Sequence, residues 1–131
     1  MDIALCALNT KTKELQFCGA NNPLYLVREN ELLETKPDKQ PVGKYSAQTP
    51  FSNNKIQLKK NDSIYLFSDG FADQFGGPKG KKFKYKPFKN LLLSIQNKDM
   101  KEQLVAINEI FINWKGEHYQ IDDVCVLGVK I

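Results

Sequence analysis

Three aspartates stand beside long apolar runs, at positions where their side chains could do chemistry together. Asp69 directly follows the apolar run 64–68, and Asp122 and Asp123 directly precede the apolar run 124–131. If the two runs are antiparallel strands, the carboxylates arrive at the same rim of the fold. Side chains alternate along a strand, so at most one of Asp122 and Asp123 can share the side of Asp69.

Carboxylates that meet in this way need a compensating charge. Two aspartates a few ångströms apart repel each other by a few kcal/mol at an effective dielectric constant of about 20, unless a cation or a shared proton lies between them. Hard oxygen donors favour Mg²⁺ or Mn²⁺. The alternative is purely structural: Asp69 caps a short helix near Phe71, and Asp122 and Asp123 form a turn. Spacing alone leaves both interpretations open.

Strands make up most of the elements that must position these aspartates. Apolar patterns predict an antiparallel meander in the first third of the chain, with strands at residues 2–8, 14–18, 24–28 and 32–33. Residues 55–58 and 63–68 flank a polar turn sequence and predict a further hairpin. The run 124–131 is apolar on both faces, which predicts a central strand.

Helices are predicted in the second half of the chain. The first has Phe71, Ala72 and Phe75 at helical spacing and stops at Gly76 and Gly77. The second begins at Pro87, with an apolar stripe of Phe88, Leu91, Leu92 and Ile95. The third begins with an Asp99–Glu102 capping box, with a stripe of Met100, Leu104, Ile107, Phe111 and Trp114. Strands with segregated helices indicate an α+β fold with antiparallel sheet.

Length and composition predict a single globular unit over residues 1–131. Hydrophobic residues are 41% and charged residues 26% of the chain, which excludes the disordered class. No apolar run approaches the roughly 20 residues of a membrane-spanning helix, and no basic leader precedes the first strand. We therefore predict no membrane contact. Cys6, Cys18 and Cys125 are odd in number and lack metal-type spacing, which predicts reduced core thiols and a cytoplasmic protein.

A lysine-rich segment accounts for much of the net charge of +4. Residues 79–89 contain six lysines with Phe83 and Tyr85 between them. The segment could be a solvated loop, a docking surface for an acidic or phosphorylated protein, or a surface for single-stranded nucleic acid. The modest charge gives no support for nucleic acid by itself, and we predict none. His118 is predicted in a surface loop, where it could act as a general acid only if that loop reached the aspartates.

Several motifs, in order along the chain, resemble those of a known family. The sequence NDSIYLFSDG ends at Gly70 and DDVCVLGVKI ends the chain; both resemble the C-terminal half of metal-dependent (PPM) protein phosphatases. The similarity is greatest to the bacterial branch typified by stage II sporulation protein E. The sequence 19–23 resembles that branch's Gly-His-Asn-Pro corner, and 41–43 its Pro-Leu-Gly turn. The resemblance covers nearly the whole chain.

The resemblance implies an antiparallel β-sandwich flanked by helices in αββα layers. It implies a centre of two Mn²⁺ or Mg²⁺ ions whose bridging water hydrolyses phosphoserine or phosphothreonine on a partner protein. Asp69 and Asp122 match metal ligands, and Asp123 matches a polar residue that supports them. The wider implication is the output domain of a bacterial signalling protein, controlled by an upstream sensor domain.

The chain also departs from the family pattern. The family's first-half motif, an Asp followed by Gly-His-Gly, has no counterpart, and Ala20 or Asn21 replaces the corner histidine. Cys125 stands where threonine is common, and Met1 leads directly into strand-like sequence. We therefore predict an incomplete domain that is inactive alone. The alternative is a non-catalytic module that binds a phosphoprotein or forms a homodimer.

Overall fold

The computed structural model describes residues 1–44 and 46–131 and consists of two antiparallel sheets with a layer of helices. The elements in chain order are β1 Ile3–Leu8, β2 Glu14–Ala20, β3 Leu24–Arg28, β4 Glu31–Thr35, β5 Asn54–Gln57, β6 Ser63–Phe67, α1 Gly70–Asp73, β7 Phe75–Gly76, β8 Lys81–Lys82, α2 Tyr85–Ser94, α3 Met100–Lys115 and β9 Val126–Lys130. One sheet has the order β1-β2-β5, the second has the order β4-β3-β6-β9, and β7 pairs with β8. The predicted α+β sandwich is confirmed.

Two apolar cores lie on either side of the four-stranded sheet. Leu24, Leu26 and Ile64 pack against residues of the three-stranded sheet, including Leu15 and Phe17. The alternate residues of the same strands form the second core with the helices; this core includes Tyr25, Val27, Tyr65, Phe67, Phe88 and Leu92. Strands β3 and β6 are therefore buried on both faces, which explains their continuous apolar sequence. The described helices lie on one side of the sandwich.

The strand connections differ from the predicted meander and hairpin. Strands β1 and β2 form one hairpin and β3 and β4 another, but the chain changes sheets between β2 and β3. Strand β5 pairs with β2, whereas β6 pairs with β3 and β9, so the predicted hairpin at 59–62 is wrong. The Asp62 carboxylate accepts hydrogen bonds from the Lys59 backbone and the Arg28 guanidinium. These bonds hold a turn that crosses from one sheet to the other.

Strand β9 lies at the edge of its sheet among the described residues, and the prediction of a central strand is wrong. Leu127 and Val129 are 55% and 38% exposed. They pair with Leu66 and Ile64, on the face toward the smaller sheet. In the described part of the chain, that sheet has three strands and leaves this edge uncovered. An apolar groove of about 500 Å³ lies between β9 and α3.

The helices follow the predictions in part. Helix α1 is a single turn, and Phe75 lies in β7 rather than in the helix. Helix α2 begins before Pro87, and its predicted stripe is buried. Helix α3 has the predicted capping box, but Leu104 is 67% exposed and Gln103 is buried in its place. Gln103 Oε1 accepts a hydrogen bond from the Tyr65 hydroxyl at 2.6 Å, so a polar side chain on α3 faces the sheet.

The difference between the stripes of α2 and α3 gives a direct test. Leu92→Ala should lower the free energy of unfolding by about 2–5 kcal/mol, because Leu92 is fully buried between α2 and the sheet. Leu104→Ala is the matched control, since the same atoms are removed from an exposed position, and it should change stability by less than about 0.5 kcal/mol. Urea unfolding of both variants checks this. Equal destabilisation would place Leu104 in the core.

The three cysteines differ in burial. Within the described residues all three thiols are free; Cys6 and Cys18 are half-buried, but Cys125 is exposed and so is not a core thiol. Burial raises the pKa of Cys6 to about 11, which makes this thiol unreactive at neutral pH.

In the part of the chain that the structure covers, no helix has the length and apolar character needed to cross a membrane.

Candidate active site

Asp69 lies just beyond the C-terminal end of β6, at the start of α1. Its backbone is already helical (φ −71°, ψ −15°), and among the described residues its side chain makes no capping hydrogen bond to α1. A capping aspartate would have an extended backbone and would accept a bond from the first turn. The interpretation of Asp69 as a helix cap is therefore wrong, and its exposed carboxylate is available for another role.

The segment before β9 passes directly over the end of β6. The two strands are antiparallel neighbours, with Phe67 opposite Val126. Beyond that pair, the backbone N–H of Ser68 donates to Cys125 O at 3.0 Å. The Ser68 hydroxyl donates to Asp123 O at 2.8 Å and accepts from the backbone N–H of Cys125 at 3.0 Å. The predicted antiparallel arrangement is confirmed, and Ser68 holds the aspartate segment in place.

Gly70 allows the same segment to approach. A Cβ atom at position 70 would overlap the backbone oxygen of Asp123. A side chain there would push Asp123, and with it Asp122, away from Asp69. Ser68 and Gly70 had no predicted role, although both belong to the SDG motif. All three residues of the motif contribute to the position of the carboxylates.

The charges around Asp69 are mostly negative. Neighbouring protein atoms shield the exposed carboxylate of Asp69 from part of its water, which raises its pKa; the charges of Asp122 and Asp73 raise it further, and Asp2 adds a smaller effect. Asp2 is fixed by a hydrogen bond from the Asn21 side chain at 2.8 Å. These four aspartates create a negative potential at one rim of the sandwich. Such a crowded group is stabilised by a cation or a proton.

Asp122 and Asp123 differ in their relation to Asp69. They lie in a bend before β9 rather than within the strand, so strand alternation does not separate them. The charge of Asp122 acts on Asp69. The backbone N–H of Asp123 donates to Asp122 Oδ1 at 2.7 Å, and its backbone oxygen accepts from Ser68. The assignment of Asp122 as the second carboxylate stays a prediction, and the backbone N–H of Asp123 is placed to orient it.

The donor set suits a hard cation in kind but is small in number. Carboxylate oxygens are the ligands that Mg²⁺ and Mn²⁺ prefer. Over residues 1–44 and 46–131, no group of three or more His, Cys, Asp or Glu side chains is arranged to hold a metal ion. The assignment of Asp69 and Asp122 as metal ligands therefore stays a prediction.

His118 lies beside the turn that connects β7 and β8. It is exposed in the loop after α3, and its Nδ1 lies 3.2 Å from the backbone oxygen of Lys115. Its Nε2 lies near Gly80, in the turn between β7 and β8. The general-acid role considered from the sequence required the loop to reach the aspartates, and the structure places His118 beside the β7–β8 turn instead.

The hydrogen bonds of Ser68 predict a positioning role for its hydroxyl. Ser68→Ala removes both bonds that fix residues 123–125, and it should weaken Mn²⁺ binding by about 10- to 100-fold. Ser68→Thr keeps the hydroxyl and should restore binding. Ser94→Ala is the matched control, since that hydroxyl bonds to Leu91 O within α2. Mn²⁺ titrations followed by NMR line broadening check this. Unchanged affinity in Ser68→Ala would show that the segment needs no such support.

Comparisons with known proteins cover the whole chain. The profile of the family described as "Stage II sporulation protein E (SpoIIE)" matches residues 1–131. The SiaA-PP2C domain of Pseudomonas aeruginosa is 28% identical, with a TM-score of 0.92 over 99% of this chain and 51% of that chain. No match was found among curated protein sequences.

Two further solved structures share the fold at lower identity. The phosphatase domain of the cell fate determinant SpoIIE from Bacillus subtilis (Mn presoaked) is 20% identical, with a TM-score of 0.74 over 100% of this chain and 56% of that chain. The RsbU and RsbW domains of Rv1364c from Mycobacterium tuberculosis are 22% identical, with a TM-score of 0.76 over 98% of this chain and 35% of that chain. The chain thus spans about half, or less, of the length of these relatives.

Proposed function

The chain belongs to the stage II sporulation protein E (SpoIIE) family and has the fold of PP2C-type phosphatases, and from that premise we propose that it forms the C-terminal part of a metal-dependent protein phosphatase domain. The observation that carries the proposal is the contact between the SDG motif and the second aspartate segment. The Ser68 hydroxyl donates to the backbone oxygen of Asp123, and Gly70 leaves room for that oxygen, at the rim where β6 ends and β9 begins.

In this proposal Asp69 and Asp122 are the ligands that this chain contributes to Mn²⁺ or Mg²⁺. The negative charges that raise the pKa of Asp69 also favour the binding of a divalent cation beside it. When bound, the metal supplies an activated water and stabilises the charge on the phosphoryl group. Asp123 orients Asp122 through its backbone N–H, and Ser68 fixes the backbone of Asp123. The substrate is a phosphoserine or phosphothreonine of a partner protein.

The small number of ligands determines what the chain can do alone. Two carboxylates fill a minority of the roughly six positions around Mg²⁺ or Mn²⁺. We therefore propose that a two-ion centre requires further ligands from outside these 131 residues and that the chain alone does not turn over substrate. The family further suggests the output domain of a bacterial, cytoplasmic signalling protein under the control of a sensor domain.

Two measurements on this chain test the proposal. In ¹⁵N–¹H NMR spectra, Mn²⁺ should broaden the amide signals of residues 68–72 and 120–124 selectively, and a chelator should restore them. Phosphate release from an aryl phosphate and a phosphothreonine peptide should stay at background with Mn²⁺. Uniform broadening of all amide signals, or no broadening, would show that the chain has no selective metal site at these residues. Chelator-sensitive hydrolysis would show that this chain alone makes a working centre.

A non-catalytic module is the second candidate, because of the uncovered apolar surface at β9. Leu127, Val129 and the groove between β9 and α3 are exposed, and an unpaired edge strand can pair with a second copy. If the chain is such a module, we expect a homodimer in sedimentation equilibrium and no selective broadening of amide signals by Mn²⁺. A monomer that binds Mn²⁺ at the rim would favour the phosphatase.

A further inference from the structure

The lysine-rich segment is a fixed structure rather than a solvated loop. We define the lysine hairpin as residues 75–86, which include β7, β8 and the start of α2. The backbone N–H of Gly77 donates to Trp114 O at 2.8 Å, and that of Phe83 donates to Gln74 O at 2.9 Å. The Phe83 ring packs edge-on against Phe71 and Trp114. The hairpin is thus attached to both α1 and α3.

Most of the lysines on this hairpin lack an intramolecular partner. Lys82 pairs with Asp73 at 2.9 Å, and just beyond the hairpin Lys89 pairs with Glu34 at 2.6 Å. The others are exposed and form no salt bridge with any described residue; they are Lys79, Lys81, Lys84 and Lys86. Four unpaired positive charges within eight residues, on a rigid support, form a surface suited to an acidic partner.

The hairpin lies beside the aspartate rim. The backbone N–H of Lys84 donates to the oxygen of Ala72 at 2.7 Å, and Ala72 is three residues after Asp69 on α1. Three helical residues rise about 4.5 Å, so with the Lys84–Ala72 hydrogen bond the backbones of Lys84 and Asp69 lie within about 10 Å of each other. An extended peptide covers that distance in about three residues.

Lys84 itself has an unusual backbone. Its φ of 76° and ψ of 158° lie in a region that glycine adopts easily and other residues adopt at a cost in conformational free energy. A glycine would make the same hydrogen bond to Ala72 with less strain. The chain carries a charged residue at this position, which indicates a use for the side chain beyond the fold.

We propose that the lysine hairpin binds acidic side chains located two to four residues from the phosphorylated residue of a protein substrate. The proposal rests on the proposed function, since it names the substrate class of that site. A protein fits better than single-stranded nucleic acid, because base stacking needs free aromatic rings. Phe83 is packed against Phe71 and Trp114, and Lys82 lies over the Phe75 ring. Tyr85, 42% exposed, is the one open ring of the described hairpin, whereas stacking of successive bases needs several.

The test uses this chain and fluorescently labelled peptides in an anisotropy titration. One peptide has a central serine flanked by glutamates, the second has glutamines in their place, and a single-stranded oligonucleotide is the competitor. The acidic peptide should bind at least about tenfold more tightly than the glutamine peptide. Added salt should weaken the binding of the acidic peptide, because it screens the charges. Equal binding of the two peptides would overturn the proposal, as would tighter binding of the oligonucleotide.

Variants localise the surface. Lys81→Glu combined with Lys84→Glu should lower the affinity for the acidic peptide by about tenfold or more. The control is Lys60→Glu, an exposed lysine in the turn at the other end of β6, and it should leave binding unchanged. Lys84→Gly should weaken binding while raising the melting temperature, because it removes charge and backbone strain together. Weakening by Lys60→Glu equal to that of the hairpin variants would contradict the proposal.

Failure of this proposal can be distinguished from failure of the phosphatase proposal. Peptide binding is measured without metal and with an unphosphorylated serine, so it does not depend on catalysis. If Mn²⁺ broadens the rim signals but the acidic peptide does not bind, the docking proposal alone is wrong. If the peptide binds but Mn²⁺ does not, the hairpin is an acidic-protein surface and the metal site is wrong.

Discussion

Asp69→Asn is expected to abolish the selective binding of Mn²⁺ at the rim while leaving the fold intact. Asparagine has the same shape but lacks the charge that a divalent cation requires. Removal of a metal ligand should weaken binding by more than about 100-fold, since even residues that only orient ligands contribute 10- to 100-fold. In a complete phosphatase domain, turnover should fall by at least the same factor. Stability should be unchanged or higher, because repulsion from Asp122 and Asp73 is relieved.

A matched control separates a ligand role from the general negative potential. Asp73 also acts on Asp69 through its charge, but its carboxylate pairs with Lys82. Asp73→Asn should therefore reduce Mn²⁺ affinity only slightly. Asp122→Asn should resemble Asp69→Asn, and Asp123→Asn should have a small effect because Asp123 acts through its backbone. NMR broadening with Mn²⁺ measures all four variants. Equal losses for Asp69→Asn and Asp73→Asn would mean that the rim attracts cations without coordinating them.

The elements were largely predictable, because hydrophobic periodicity and capping are local properties of the chain. The stripe of α2 and the Asp99–Glu102 capping box of α3 are examples. The pairing of strands was less predictable. A short turn such as 59–62 fits a hairpin, but the pairing of β5 with β2 and the long-range bond between Arg28 and Asp62 hold it as a crossing between sheets. The rotation of α3 that buries Gln103 depends on Tyr65, which is distant in sequence.

The candidate site shows the same division between local and long-range information. Strand direction alone brought Asp69 and the 122–123 pair to one rim. The choice between Asp122 and Asp123 depends on a bend and on the hydroxyl of Ser68, which no periodicity reveals. The lysine hairpin was visible as composition, but its attachment to α1 and α3 was not. That attachment determines whether the lysines are merely solvated or form a surface beside the rim.

A buried ion pair connects the two sheets and should be important for stability. Arg28, at the end of β3, donates to both carboxylate oxygens of Asp62, at 2.9 and 2.6 Å, and also to Gln57 O at 3.0 Å. The side chain of Asp62 is 2% exposed. The same carboxylate accepts from the Lys59 backbone at 2.7 Å. The pair therefore joins β3 to the turn that carries the chain from one sheet to the other.

Asp62→Ala should lower the free energy of unfolding by about 3 kcal/mol, because it leaves the Arg28 charge partly buried without a partner. Glu34→Ala is the matched control. The Lys89–Glu34 pair has the same 2.6 Å separation, but its side chains are 34% and 31% exposed, compared with 20% and 2% for Arg28 and Asp62. Glu34→Ala should lower the free energy of unfolding by less than about 1 kcal/mol. Urea unfolding at neutral pH measures both, and equal losses would show that burial adds nothing to the pair.

The pH dependence of this effect has a definite sign. Burial alone would raise the pKa of Asp62, but the hydrogen bonds from Arg28 and Lys59 and their positive charges outweigh it, and the pKa is lowered. The contribution is therefore complete above the unfolded-state pKa of about 4 and is lost as pH falls through the lower folded-state value. The stability difference between wild type and Asp62→Ala should be constant from neutral pH to about 5 and shrink below 4. A difference that grows in acid would mean that the folded protein holds Asp62 protonated, and the ion pair would then be wrong.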